Sequence, residues 1–271
     1  MAHTTEFLIV MTASITPATD VAHFRSDPKV RLEDYKNALR FWLAQPNERL
    51  NRILFLENTG SDISELQSIA SDENSLNKEV EFISMRGNNI PKKRHYGYGE
   101  MQMLDEGLSK SILRRHTTHM IKVTGRLTFP SIGKLMTKLP QQFDVFIECR
   151  VPLHSFNNKT NPLTVIKNRI SAYASCQLMI FSHEFYEREL QKRYPDLAPA
   201  FPGSYPHLIE NLIYDRVIQF EGQAGIYLRW PINVEPVGFA GHKNKNYGDP
   251  RRVLLNMTRS AFRRLWPDFW L

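Results

Sequence analysis

The feature that most constrains this chain is a regular alternation of short apolar runs and amphipathic helical patterns. Residues 6–11, 52–57 and 80–84 are mainly apolar and rich in branched side chains, which is typical of buried strands. Residues 31–43 and 63–70 lie between them and place apolar side chains at helical spacing. Because neighbouring parallel strands need a crossover connection, this order predicts an α/β fold with a doubly wound, mostly parallel sheet and helices on both faces.

Further elements follow the same pattern. Apolar runs predict strands over residues 119–123, 143–148 and 175–181. Helical spacing predicts helices over residues 101–113, 132–139, 184–193 and 208–220. The chain should therefore continue its sheet well beyond residue 100.

Composition excludes several classes of protein. With 271 residues, 42% of them apolar and 23% charged, the chain can bury a substantial core and does not have the composition of a disordered protein. Its two cysteines, Cys149 and Cys176, have no CxxC spacing, which excludes a disulfide framework and a structural zinc site. No apolar stretch is long enough to span a bilayer and no signal peptide is visible, so we expect a cytoplasmic protein.

The net charge is +7, which favours an anionic partner. Residues 251–265 predict a basic amphipathic helix, and the five arginines of the tail are Arg251, Arg252, Arg259, Arg263 and Arg264. Such a helix either lies on an anionic membrane surface, at the inner face of the cytoplasmic membrane, or docks on the domain with its arginines outward.

Polar residues follow the first two predicted strands, where ligands of parallel sheets bind. Thr12 begins the exit of the first strand, and Asn58 and Asp62 lie in the loop after the second. This loop has two interpretations. Its short polar side chains suit a nucleotide's base or ribose, or it is a turn in which Asp62 caps the next helix.

The segment Tyr96-Gly97-Tyr98-Gly99-Glu100 is more distinctive. Two glycines around an aromatic residue allow close approach of a ligand, and the tyrosines offer stacking surfaces and hydroxyl donors. A flexible loop is the alternative of equal weight.

Two cations flank Gly125 at the end of the strand over residues 119–123. Lys122 and Arg126 could neutralise a diphosphate, or they form a solvated strand end. Because Lys122 lies inside an apolar run, we expect its charge to have a partner.

This order of motifs, from the Asn58–Asp62 loop through Gly97–Glu100 to Lys122–Arg126, resembles bacterial glycosyltransferases of the GT-A type, in particular those of surface-polysaccharide assembly, over residues 6–148. The resemblance implies a nucleotide-sugar donor as co-substrate and a cell-surface glycan or lipid-linked acceptor. It also implies three parts: residues 1–150 bind the donor, residues 151–248 form the acceptor side of the same domain, and residues 249–271 form the basic helix.

The chain departs from that family in one respect, because no Asp-x-Asp occurs anywhere in it. The resemblance therefore implies a metal-independent enzyme without a cofactor, in which Lys122 and Arg126 stabilise the departing phosphate. The donor would be held by Thr12, Asn58, Asp62, Gly97, Tyr98, Gly99, Glu100 and Gly125.

A transferase of this kind also needs a base for the acceptor hydroxyl. Glu148, Glu184, Glu210 and His183 are candidates, and Glu210 is preferred because apolar neighbours on its helix could raise its pKa. A carboxylate paired with Lys or Arg is the alternative for Glu210. For the whole chain, the alternative is a non-catalytic nucleotide- or nucleic-acid-binding module, although no nucleic-acid-binding motif is visible.

Overall fold

The computed structural model describes most of the chain. Its described ranges are residues 5–17, 25–88, 90–150, 172–199, 208–240 and 246–248, together with Leu254, Met257, Thr258 and Ala261 of the tail. The five tail arginines therefore lie outside the described residues. The predicted tail helix is represented by those four residues, each of which is helical.

Nine strands occur in the described ranges. In chain order they are β1 (Phe7–Ala13), β2 (Arg52–Glu57), β3 (Glu79–Ser84), β4 (His119–Thr124), β5 (Val145–Phe146), β6 (Cys149–Arg150), β7 (Tyr173–Ala174), β8 (Leu178–Ser182) and β9 (Ile226–Tyr227). Seven of them form one central sheet, and β6 and β7 form a separate antiparallel pair.

The same ranges contain six α-helices. They are α1 (Pro28–Leu43), α2 (Ser64–Asp72), α3 (Gly97–Lys110), α4 (Ile132–Met136), α5 (His183–Phe185) and α6 (Ile209–Val217). Single helical turns supplement them at Glu48–Leu50, Leu113–His116, Tyr194–Asp196 and Ile218–Phe220, and α5 continues as a π-helix over Tyr186–Leu190. None of the helices in the described part of the chain has the length and apolar character needed to cross a membrane.

The order of the central sheet is β3-β2-β1-β4-β8-β5-β9. Strands β3, β2, β1 and β4 run parallel, and β8 runs antiparallel to its neighbours β4 and β5. The chain goes from β1 outward to β2 and β3 and then returns to the other side of β1 at β4. The mostly parallel sheet that the sequence predicts is confirmed, and its strand order reverses between β1 and β4.

Two apolar layers cover the sheet, as the alternation along β1 shows. Phe7, Ile9 and Met11 pack on the face that carries α1, α2 and α4. Leu8 and Val10 pack on the opposite face against α3 and α6. All seven residues of β1 are buried, because helices lie on both faces. The predicted α/β class is therefore confirmed.

The predicted strand over residues 143–148 forms a ladder for only two residues, Val145 and Phe146. Polar side chains at both ends also form hydrogen bonds to neighbouring segments. Asp144 accepts a hydrogen bond from the hydroxyl of Ser182 (2.7 Å), and the buried carboxylate of Glu148 accepts one from the backbone N–H of Trp230 (2.8 Å). Main-chain hydrogen bonds also continue beyond the ladder, from the N–H of Ile147 to the carbonyl of Tyr227 (3.0 Å) and from the N–H of Cys149 to the carbonyl of Leu228 (2.9 Å). The segment therefore stays paired although only two of its residues are assigned to a strand.

Candidate functional site

A cleft opens at the carboxyl ends of β1, β2 and β4, where the strand order of the sheet reverses. Ligands of open α/β sheets characteristically bind at such a position. Its cavity volume is about 150 Å³, a space in which one six-membered ring fits. Polar residues from five parts of the chain line it: Thr12, Asn58, Tyr96, Glu100, Arg126 and Glu210.

Lys122 and Glu100 form an ion pair beside this cleft. The side chain of Lys122 is fully buried in β4, and its Nζ lies 2.6 Å from Oε1 of Glu100 and 2.7 Å from the carbonyl oxygen of Cys176. The hydroxyl of Thr12 also donates to Oε1 of Glu100 (2.9 Å). Lys122 thus has the partner that its position requires, and its charge is balanced by this carboxylate.

The pKa of the Glu100 carboxyl reflects these contacts. Burial alone would raise its pKa, but the charge of Lys122 and the hydrogen bonds from Lys122 and Thr12 outweigh burial. The pKa of Glu100 therefore lies below its usual value, and the carboxyl is ionised at neutral pH. This arrangement differs from the sequence-based prediction that Lys122 faces a bound phosphate.

Arg126 lines the cleft at the end of β4. Its Nε donates a hydrogen bond to the backbone carbonyl of Phe239 (3.0 Å), which fixes one edge of the guanidinium group. Among the described residues, no carboxylate lies within ion-pair distance of Arg126. Arg126 thus has a fixed orientation at the cleft, and its charge acts on the carboxylate of Glu100 without forming an ion pair with it in the described structure.

Arg31 is a second cation of the cleft, and the sequence analysis did not identify it. It is only 3% exposed. Its Nε donates to the carbonyl of Ser14 (2.6 Å), its Nη2 to the hydroxyl of Tyr35 (3.0 Å) and its Nη1 to the carbonyl of Arg25 (3.2 Å). In the described ranges of the chain it forms no ion pair. A sequence signal exists, because Arg31 lies four residues before Tyr35 on the apolar face of α1.

Glu210 is in the first turn of α6 and lines the cleft. Its Oε2 is buried and has no hydrogen-bond partner within the described part of the structure. Burial raises the pKa of this carboxyl and the negative charge of Glu100 raises it further, whereas a hydrogen bond to the residue's own backbone and the charge of Lys122 lower it, with burial outweighing both. Glu210 therefore holds its proton to a higher pH than an ordinary glutamate does.

The two tyrosines of the predicted motif occupy different surroundings. Tyr96 lines the cleft, and burial, followed by the nearby Glu210, raises the pKa of its phenol. Its hydroxyl is consequently protonated at neutral pH. Tyr98 does not line the cleft and packs edge-on against Tyr194, with ring centroids 4.9 Å apart. Tyr96 is thus a candidate donor-binding residue that is missing from those predicted by the sequence analysis, whereas Tyr98 packs outside the cleft.

The glycines that the sequence analysis assigned to ligand contact make room for protein atoms. A Cβ on Gly97 would lie 2.5 Å from Cβ of Ile209, where α3 meets α6. A Cβ on Gly99 would lie 2.8 Å from Oδ1 of Asn88, and one on Gly125 would lie 2.7 Å from the carbonyl oxygen of Thr12. None of these glycines lines the cleft in the described structure. Gly97 and Gly99 also belong to the first turn of α3, four residues earlier than the periodicity predicts.

Asn58 and Asp62 also differ from each other. Asn58 is buried, lines the cleft and accepts a hydrogen bond from the hydroxyl of Ser14 (2.5 Å). Asp62 lies outside the cleft at the start of α2, where its carboxylate accepts hydrogen bonds from the backbone N–H and the hydroxyl of Ser64 (2.9 and 3.0 Å). Asp62 thus holds the first residue of α2 by its side chain, although the N-cap position of that helix is Ile63.

A buried carboxylate at the end of β2 supports these loops. Glu57 is fully buried and accepts hydrogen bonds from the backbone N–H groups of Ile15 (3.2 Å), Thr59 (3.0 Å) and Ser61 (3.2 Å). It thereby joins the loop after β1 to the loop after β2, which fixes the cleft wall around Asn58.

Comparison with known proteins gives fold resemblances only. No protein-family model and no curated protein matches the sequence. An active-site mutant of LgtC is 10% identical, with 93% of this chain and 95% of that chain covered and a TM-score of 0.49. Core-mannan synthase A from Aspergillus fumigatus, solved with Mn and GDP, is 9% identical, with 86% and 74% covered and a TM-score of 0.45.

A cytidylyltransferase from Leptospira borgpetersenii is 14% identical, with 68% of this chain covered and a TM-score of 0.37. The match spans 63% of the length of that cytidylyltransferase. At these values the similarities do not assign an activity to this chain.

Proposed function

We propose that the chain is a glycosyltransferase that moves a sugar from a nucleotide-sugar donor to a glycan or lipid-linked acceptor. One observation carries the proposal: the cleft at the strand-order reversal is lined by two guanidinium groups that form no ion pair with any described carboxylate, and by a carboxyl group of raised pKa. Cations of this kind suit an anionic ligand, and the carboxyl group suits proton transfer.

The charges of the cleft support an anionic donor. The positive charge of Lys122 is balanced by Glu100, whereas Arg31 and Arg126 have no carboxylate partner among the described residues. Each guanidinium group offers several N–H donors in one plane and can bind two phosphate oxygens at once. A diphosphate would therefore neutralise both arginines together.

The size of the cleft supports a ligand of several parts. A cavity of about 150 Å³ holds one ring. A nucleotide sugar contains a base, a ribose and a sugar ring joined by the diphosphate. We place one of these rings inside the cavity, with the remaining parts in the open mouth of the cleft.

The proposed reaction uses the cleft's own groups. The acceptor hydroxyl oxygen attacks the anomeric carbon, the bond from that carbon to the phosphate oxygen breaks, and the nucleoside diphosphate leaves. Glu210 takes the proton of the acceptor hydroxyl, since a carboxylate of raised pKa is a stronger base than an ordinary one. Arg126 stabilises the charge that develops on the departing phosphate.

The same charges support a reaction that does not require a divalent ion. The sequence contains no Asp-x-Asp. Arg31 and Arg126 would supply fixed positive charge at the phosphates, and both act without a bound metal.

The tail supports a lipid-linked acceptor. Leu254 and Met257 are helical, three residues apart and about two-thirds exposed (65% and 66%), so they share one helix face. Five arginines lie in the same stretch of sequence. We propose that this segment lies on an anionic membrane surface. Cosedimentation with phosphatidylglycerol vesicles, but not with phosphatidylcholine vesicles, would support this placement, and Leu254→Gln should weaken it.

A donor panel tests the proposed function. Thermal unfolding is measured with UDP-, GDP-, TDP- and CDP-sugars, with EDTA and separately with manganese. We expect at least one donor to raise the melting temperature in EDTA, because a ligand that binds the folded state stabilises it. Stabilisation that requires manganese would contradict metal independence. If a donor binds but no acceptor glycan causes release of its nucleoside diphosphate, the chain would be a non-catalytic module.

A further inference from the structure

Phe239 contacts Arg126 directly and is linked to Arg31 through Arg25. Its backbone carbonyl accepts the hydrogen bond from Nε of Arg126 (3.0 Å). Its ring lies beneath the guanidinium group of Arg25, with Cζ 4.2 Å from the ring centroid. The carbonyl of Arg25 in turn accepts a hydrogen bond from Nη1 of Arg31 (3.2 Å). Phe239 thus contacts Arg126 through its main chain, and its ring contacts Arg25, whose backbone carbonyl binds Arg31.

The main chain that carries Phe239 is held tightly against β4 and its exit. Val237 and Thr128 exchange two backbone hydrogen bonds of 2.8 and 3.0 Å. Gly238 has a φ of +125°, and a Cβ at this position would lie 2.9 Å from the carbonyl oxygen of Arg126. Only glycine fits there without strain. The carbonyl of Phe239 is therefore fixed relative to Arg126.

The ring contact is equally well supported. The guanidinium group of Arg25 also forms a salt bridge with Asp34, through Nη2 to Oδ1 at 2.7 Å and through Nε to Oδ2. The side chains of both partners are at most 15% exposed. A cation over an aromatic face is attracted more strongly when water is excluded. The ring of Phe239 and the carboxylate of Asp34 thus hold Arg25, whose carbonyl holds Arg31.

We infer that Phe239 is a positioning residue that sets both arginines for the two phosphates of one diphosphate. Its carbonyl orients Arg126, and its ring fixes the segment that orients Arg31. The inference rests on the proposed function, because it assigns the ligand of the same cleft. Preorganised donors bind more tightly, since fewer side chains have to be ordered when the ligand arrives.

The experiment measures the Kd of inorganic pyrophosphate by titration calorimetry in EDTA. Phe239→Leu removes the ring but keeps the carbonyl, so Arg126 stays oriented and Arg31 loses support. We expect Kd to rise about threefold to tenfold, the loss that one partly buried cation–π contact represents. Phe239→Tyr keeps the ring and should retain the wild-type Kd. Phe220→Leu, a half-buried ring that does not line the cleft, is the matched control. Thermal unfolding confirms that each variant is folded.

A double-mutant cycle identifies the route through Arg25. Arg25→Gln removes the cation that stacks on the ring, so we expect Phe239→Leu to add little in that background. Fully additive effects of the two substitutions, or an unchanged Kd for Phe239→Leu, would overturn the inference about Phe239. The proposed function would still stand in that case, because the wild-type chain would still bind pyrophosphate. A wild-type chain that binds neither pyrophosphate nor any of the four nucleoside diphosphates would overturn both.

Discussion

The ammonium group of Lys122 lies 2.6 Å from a carboxylate oxygen of Glu100, inside the central sheet and beside the cleft. The pair joins β4 to the first turn of α3 and sets the charge balance of the site. With Lys122 neutralised, Arg31 and Arg126 remain as the cations available to a ligand. Within the pair, Glu100 contributes to the raised pKa of Glu210 and Lys122 opposes that contribution.

Breaking this pair should destabilise the fold. Lys122→Met leaves Glu100 as a carboxylate without its partner, and we expect a loss of about 3–5 kcal/mol in the free energy of unfolding. Urea denaturation at neutral pH measures this loss. The double variant Lys122→Met with Glu100→Gln should recover part of it, since no buried charge is then left unpaired. A single variant as stable as the wild type would contradict the pairing.

Acid should weaken the same contribution. The folded-state pKa of Glu100 lies below its usual value, so its stabilising effect is complete above the unfolded pKa and is lost as pH falls through the folded pKa. Comparison of the wild type with Glu100→Gln over an acid titration checks this. The difference in unfolding free energy should shrink as the pH falls, and a constant difference would refute the assignment.

Gly97 should tolerate no side chain. In Gly97→Ala the new Cβ would lie 2.5 Å from Cβ of Ile209, and we expect a loss of about 1–3 kcal/mol from overpacking between α3 and α6. Gly133→Ala in α4 is the control, because no atom lies within 4 Å of a Cβ there. That substitution should be neutral or stabilise by up to about 1 kcal/mol. Equal melting temperatures for the two variants would argue against close helix packing at Gly97.

The strands and helices that the sequence predicts correctly are those whose signal is local. The apolar run of β2 begins and ends at the predicted residues, Arg52 and Glu57, because both faces of this strand are covered. Strand β5 was predicted too long because its ends depend on distant partners. Its neighbours β8 and β9 come from residues more than 30 and 80 positions later. The length of such a strand cannot be predicted from a short stretch of sequence, because that stretch does not include the partner strands.

The site could be predicted only in part, for the same reason. The apolar surroundings of Lys122 indicate that its charge needs a partner, but 22 residues separate it from Glu100 and no local rule pairs them. The glycines around Tyr98 suggested contact with a ligand, whereas Gly97 lacks a side chain because α6 packs closely against it at Ile209. Arg31 was missed because a cation in an amphipathic helix is usually solvated, and its burial depends on the loop after β1.

Removal of Arg126 should reduce turnover more than it weakens donor binding. In Arg126→Ala the charge on the departing phosphate loses a fixed cation, and we expect kcat to fall about 10²–10³-fold. Steady-state kinetics with the donor identified in the panel measures kcat and KM separately. Arg115→Ala removes an exposed arginine outside the cleft and should leave both constants unchanged. An Arg126→Ala enzyme with normal kcat would exclude this role.

The raised pKa of Glu210 predicts that loss of its negative charge stabilises the fold but lowers turnover. Ionising a carboxyl whose folded pKa is raised costs stability as pH rises through the unfolded and then the folded pKa, so Glu210→Gln should be more stable than the wild type at neutral pH. Wild-type turnover should fall as pH drops through the folded pKa, because the base becomes protonated. Urea denaturation and a pH–rate profile measure the two effects.

The central claim is that Glu210 accepts the acceptor's proton in a cleft that binds the donor through its arginines. Its most direct test is the rate of nucleoside diphosphate release from a bound nucleotide sugar in EDTA, for the wild type, Glu210→Gln and the exposed control Glu184→Gln. We expect the wild type and Glu184→Gln to turn over equally, and Glu210→Gln to bind the donor normally while its rate falls about 10²–10⁴-fold. Equal rates for all three proteins, or release only after manganese is added, would contradict the claim.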